Sequence, residues 1–135
     1  MLGFFDTNDG QPKVTFKVQG EKTSGDVTAL FDTGFSGELA LPLQYLLELG
    51  AKLVGAEQMR YADGRTNVEL LFEVKVFLEK EEKTVNAHLI MFAKEPIAGV
   101  RLFNQFTALI NFSDKIFDIV ETEILKGKLG NIMKS

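Results

Sequence analysis

Asp32 closes an apolar run, Ala29-Leu30-Phe31, and is followed at once by Thr33 and Gly34. A carboxylate at the end of a strand, with a glycine two residues on, is held on a rigid element where the chain must turn sharply. Glycine lets backbone approach a ligand or partner closely, and a threonine hydroxyl can fix the loop through hydrogen bonds, so the site suits general acid or base work. Asp-Thr-Gly alone carries little weight, because average residue usage produces it by chance in roughly 3% of chains this long. Its context carries more. A second apolar stretch, Leu39-Ala40-Leu41, comes directly after, and Ile97-Ala98-Gly99 stands about 65 residues downstream.

The other chemistry-bearing residues offer less. Phe5-Asp6-Thr7-Asn8 nearly repeats the motif, but no apolar strand follows it and no partner glycine segment answers it, so it reads as coincidence. His88 is the single histidine and there is no cysteine. Thiolate catalysis, disulfides and cysteine-ligated zinc are thereby excluded, and a lone histidine on a strand without acidic or cysteine company reads as structural. No phosphate loop or metal cluster stands out, so neither a metal nor a cofactor is expected.

Alternation of Val14, Phe16 and Val18 predicts a half-buried strand over 14–18, and 27–31 forms the next, ending at Asp32. A short strand at 38–41 leads into a helix over 42–49, with Pro42 suited to its first position and Gly50 to its C-terminal cap. Residues 57–78 read as a long hairpin whose Asp63-Gly64 is a strong type I′ turn signal. Charged residues at 79–83 make a solvated turn into a strand over 84–92. After Pro96 come Ile97-Ala98-Gly99, a short helix over 100–105 and strands over 106–112 and 115–120. Residues 1–12 form a turn-rich, loose N-terminal segment, 13–120 the domain, and 121–135 a tail with no clear periodicity.

The 135 residues suit one domain, and the 45% apolar and 25% charged composition is that of an ordinary soluble globular protein. A net charge of -4 with scattered Lys and Arg speaks against a nucleic-acid partner. No apolar run nears the roughly 18 residues that span a bilayer, and the N-terminus lacks a basic segment with a signal-peptide core. No membrane association and a cytoplasmic location are expected.

Taken together, Asp32-Thr33-Gly34 between two apolar stretches, and the later Ile97-Ala98-Gly99 before a short helix, resemble the retropepsin-like aspartic proteases over about residues 13–120. Asp-Gly at a hairpin tip and Leu41-Pro42 after the loop look most like the small prokaryotic members. The resemblance implies a mostly β, closed-barrel acid-protease fold with one or two short helices, forming half of a two-fold dimer. It makes Asp32 the catalytic carboxylate, Thr33 and Gly34 the active-site loop, and Ile97, Ala98 and Gly99 the segment bracing that loop. It makes the hairpin a flap, with Met59, Tyr61, Ala62, Asp63 and Gly64 placed to meet substrate, and the tail either a dimer strand or disordered. Two departures stand out: retroviral members carry an Arg and an Asp where this chain has Val100 and Ser36, and Arg101 is one residue out of place. Both partners of that ion pair are absent together, so no charge is stranded.

Peptide hydrolysis of this kind needs two carboxylates about 3 Å apart sharing a proton. The chain supplies one, so homodimerisation is a chemical requirement and a peptide or protein is the substrate. Phe35 stands where many acid-active relatives have a hydroxyl that stabilises the anion, which implies an only mildly acidic optimum. The main alternative is a non-catalytic peptide- or protein-binding module on the same fold. A glycosidase pairing Asp32 with Asp63 or Glu38 is a weaker one.

Overall fold

The computed structural model describes residues 2–91 and 93–133. Val14, Phe16 and Val18 all point into one core from a strand that runs beyond the alternating stretch, β2 (Pro12–Gln19), after a short β1 (Gly3–Phe5). A turn returns the chain as β3 (Ser24–Phe31), antiparallel to β2, with Val27, Ala29 and Phe31 on the same core. Beyond the Asp32 loop lie β4 (Leu39–Pro42) and helix α1 (Leu43–Leu49). Pro42 occupies the N-cap position with extended backbone, and Gly50 caps the other end at φ +67°, its N–H turned back to the Leu46 and Leu47 carbonyls.

The long hairpin is formed by β5 (Lys52–Arg60) and β6 (Thr66–Leu78), and β6 then pairs with β7 (Glu81–Ile90). The strand expected to reach Phe92 ends at Ile90, and Phe92 lies outside the described residues. A two-residue strand, β8 (Ile97–Ala98), leads into a 3-10 turn at Val100–Phe103, shorter than the expected helix. Hairpin strands β9 (Phe106–Asn111) and β10 (Ile116–Glu121) follow, and α2 (Thr122–Met133) ends the described chain.

A mostly β fold with two helices is what forms, but the expected closed barrel does not. Eight strands make one sheet in the order β1-β2-β3-β8-β4-β7-β6-β5, with β1 and β5 as its free ends, and β9 and β10 stand apart as a second sheet. The physical reason lies in one edge of β2. Its first residues, Pro12 to Val14, are taken by β1, so β6 reaches only Lys17, Val18 and Gln19. Three pairs draw the curled sheet together without sealing it.

Residues before Lys13, expected to be loose, carry β1 and a turn fastened by Lys13, whose ammonium lies 2.9 Å from Asp6 and 2.7 Å from Asp9 and also pairs with Glu95. Lys13 is buried. Its Asp9, Glu95 and Asp6 partners push its pKa well above that of an ordinary lysine. The tail carries α2 through residue 133, while 134 and 135 lie outside the described residues. Thr122 at its start donates its N–H to the Gln105 carbonyl, and the Thr107 and Thr122 hydroxyls meet at 2.9 Å. Among the described residues no helix is long and apolar enough to cross a membrane.

Candidate active site

Asp32 sits at the end of β3, and the segment that pairs with that end is the distant one singled out by sequence. Strand β8 lies parallel to the end of β3, Leu30 opposite Ile97 and Phe31 opposite Ala98. Leu30 donates its N–H to the Pro96 carbonyl at 2.9 Å and Asp32 donates its own to the Ala98 carbonyl at 3.0 Å. These bonds extend the ladder to the residue bearing the carboxylate. Two further bonds fold the loop: the Gly34 N–H donates to Asp32 Oδ1 at 2.9 Å, and the Phe35 N–H to the Asp32 carbonyl at 3.2 Å. Asp32 is half-buried, and Thr33 and Gly34 are exposed. No described lysine, arginine or histidine pairs with the Asp32 carboxylate.

Gly99 shows why a glycine ends the bracing segment. Its N–H donates to the Glu38 carbonyl at 2.9 Å, and a Cβ there would drive into the Gly37 carbonyl oxygen and lie 3.0 Å from that of Phe35. The loop therefore rests on β8 backbone to backbone. Arg101, out of place for an ion pair, still reaches the loop, with Nη1 3.3 Å from the Ser36 carbonyl oxygen. Lys83 adds a second tie, lying 3.1 Å from Glu38 and 3.4 Å from the Arg101 carbonyl. Arg101 and Lys83 thus tie together the two segments that lack the Arg–Asp pair of retroviral members, and neither tie was legible from spacing alone.

The hairpin tip departs from its expected geometry. A type I′ turn needs positive φ at both central residues, yet Glu79 and Lys115 are the described non-glycine residues with positive φ, and of Asp63-Gly64 only Gly64 has it, at +86°. Tyr61 donates its N–H to the Arg65 carbonyl at 2.8 Å and Gly64 donates back to the Tyr61 carbonyl at 3.0 Å. The loop thus holds three residues, with Gly64 in the left-handed position of a bulge. Asp63 is occupied by Arg65, whose N–H lies 3.0 Å from Oδ1 and whose Nε lies 2.6 Å from Oδ2. The Arg65 N–H first, and its guanidinium second, hold the Asp63 carboxyl below the usual carboxylate range. With Asp63 serving Arg65 and Glu38 serving Lys83, neither is a free second carboxylate for a glycosidase.

Ala62, Asp63 and Gly64 are exposed at the tip, and Met59 and Tyr61 part company. Met59 is buried, while Tyr61 is 47% exposed and lines a cavity of about 450 Å³ with Asn67, Val68, Glu69, Leu70, Leu89, Ile90, Met91 and Ala93. This cavity separates the hairpin from the end of β7 and the residues after it, because β6 and β7 stop pairing at Leu71 and His88. Its wall is largely apolar, and most of its residues were invisible to sequence reading, since they come from strands whose divergence only the fold reveals. A larger cavity of about 720 Å³ lies elsewhere, lined by Lys80, Glu81, Asn104, Gln105, Glu121, Thr122 and Glu123.

His88 also differs from expectation, for it does have acidic company. It is 3% exposed, with Nδ1 3.4 Å from Glu69 Oε1 and Nε2 3.8 Å from Glu57 Oε2. On its other side, Phe35 of the Asp32 loop stands edge-on, ring centroids 5.5 Å apart. Among the described residues no group of His, Cys, Asp and Glu could hold a metal ion.

No protein-family model and no curated protein matches the sequence. The fold itself is similar to a crystal structure of a retropepsin-like aspartic protease from Rickettsia conorii, with a TM-score of 0.58 and 19% identity over 88% of each chain. At that identity the likeness defines the fold. The chain therefore has a retropepsin-like aspartic protease fold.

Proposed function

We propose that this protein is an aspartic endopeptidase whose active site is assembled from Asp32 of two identical subunits. The observation that carries this reading is a half-buried carboxylate on a braced loop, given one backbone donor and, among the described residues, no cation. A carboxylate meant for structure is ordinarily paired, as Asp6 and Asp63 are here, whereas a general base must keep a lone pair for the proton it takes.

In the assembled pair one carboxylate is ionised and accepts a proton from water as the oxygen attacks the peptide carbonyl carbon. Its protonated partner gives a proton to the carbonyl oxygen, and collapse of the tetrahedral species breaks the C–N bond as the nitrogen is protonated. The loops supply rigidity, and β5–β6 acts as a flap over the peptide. Self-association is supported by apolar side chains left open on β9 and β10: Leu109, Ile110 and Ile116, together with Phe112, which is 68% exposed.

The test is peptide cleavage by purified wild type and D32N, with dimerisation followed by sedimentation. Cleavage lost in D32N with the dimer intact is expected. Equal cleavage by both proteins would refute the reading, and a wild-type dimer without cleavage of any peptide in a diverse library would favour the binding module.

A further inference from the structure

Glu57 and Glu69 are direct cross-strand partners at the root of the hairpin. Like charges placed so repel each other. His88 is what the fold puts there, one ring nitrogen toward each carboxylate. Glu69 is itself largely covered, its side chain 11% exposed, and its other oxygen lies 3.5 Å from the Tyr61 hydroxyl near the hairpin tip. A chain of side chains thus runs from tip to root to core: Tyr61, Glu69, His88, Phe35. Its far end is in the Asp32 loop.

One link in that chain is unfinished. His88 Nδ1 is buried without a hydrogen-bond partner, although the Glu69 carboxylate stands 3.4 Å away. A buried polar group left unmade is costly, and a small inward shift of Glu69 would satisfy this one. The imidazole cannot move far to find it. Phe35 presses on one side, and Gly37 is so close that an added Cβ would fall 2.7 Å from Nε2. The hairpin can move, because beyond Leu71 strand β6 is paired on the β5 side alone.

We propose that His88 is a positioning residue that couples the flap to the catalytic loop. On inward movement of the hairpin, Glu69 completes a hydrogen bond from His88 Nδ1–H, and the flap is latched over the cavity while Phe35 and the loop are held from beneath. The latch rests on the reading of β5–β6 as the flap of a peptidase, but its geometry can be tested without cleavage.

Amide hydrogen exchange on the intact protein is the direct test, comparing wild type, H88L, H88N and E69L. Asn keeps a donor near the Nδ1 position, so H88N separates hydrogen bonding from ring packing. Expected is exchange at Tyr61, Gly64 and Val68 about tenfold faster in H88L and E69L, unchanged in β2 and β3, and near wild type in H88N. Peptide KM should rise about fivefold in H88L and E69L with kcat changed less. Exchange equal to wild type in E69L, or raised in β2 and β3 as much as in the hairpin, would overturn the proposal, as would H88N behaving like H88L. If H88L does not fold, E69L and H88N decide alone. D32N should retain the wild-type exchange pattern, so a protein that latches but never cleaves would sink the peptidase reading and spare the latch.

Discussion

Asp6-Thr7 and Asp32-Thr33 each follow a strand that ends in phenylalanine, and in each the aspartate Oδ1 accepts the N–H two residues on, from Asn8 at 2.8 Å and from Gly34 at 2.9 Å. Their second oxygens meet different surroundings. Asp6 Oδ2 lies 2.9 Å from the buried Lys13 ammonium, and the Asn8 N–H first, with Lys13 second, holds the Asp6 carboxyl below its ordinary range. Around Asp32 the sheet supplies backbone, the Ala98 carbonyl beneath its N–H, and no cation from among the described residues. The same aspartate-to-backbone contact therefore belongs to a tether at one place and to a carboxylate without an ion-pair partner among the described residues at the other. What separates them is the neighbour brought in from afar, Lys13 in one case and β8 in the other.

The comparison breaks most sharply by exchanging the acids. D32N should lower kcat for peptide cleavage by about a thousandfold or more with KM little changed, whereas D6N should leave kcat within about twofold and lower the melting temperature instead. Steady-state kinetics beside thermal melts tell the two apart. Removing the support under Asp32 comes next. G99A must displace the Gly37 carbonyl, and a loss of about 3 kcal/mol in denaturant unfolding is expected, with cleavage falling in parallel.

K13M probes the other turn and should lower the melting temperature at neutral pH by several degrees, leaving kcat unchanged. Its pH dependence follows from the signs. Asp6 and Asp9 have folded pKa values below their ordinary ones, Asp9 chiefly through Lys13 and then the Gln11 N–H, so their contribution is present above about pH 4 and is lost as pH falls through the lowered values. Lys13, raised in the fold, contributes fully below about pH 10 and drops out only as pH rises past its raised value. The stability gap between wild type and K13M should therefore narrow on acidification, which melts across a pH series would show. The smallest effect is expected at F35T, where a hydroxyl returned to the loop should move the cleavage optimum toward acid by up to about one pH unit.

Much of the candidate site was legible because its signals are short. Asp32-Thr33-Gly34 after an apolar strand, Ile97-Ala98-Gly99, Pro42 and Gly50 around α1, and the hairpin itself are set by neighbours in sequence. The His88 cluster was not, because its carboxylates come from β5 and β6 and meet His88 only through the register that places Leu71 opposite it. Closure failed as an expectation for a similar reason: β1 competes for the edge of β2, and no periodicity announces a three-residue strand. Helix α2 was hidden by Gly127 and Gly130, each of which costs about 1 kcal/mol relative to alanine inside a helix and blurs the apolar repeat. Met59 and Tyr61, both beside the hairpin turn, differ in burial, which their place in the sequence does not announce.

The central claim is that one active site takes its two carboxylates from two chains. Mixing wild type with D32N under conditions that exchange subunits, and measuring cleavage against the wild-type fraction, tests it most directly. If both Asp32 side chains are needed, activity at equal proportions falls to roughly one quarter of that of undiluted wild type, because only dimers with two intact subunits work. Activity that falls to one half, in simple proportion to the wild-type fraction, would mean that each chain carries a complete site and would contradict the account.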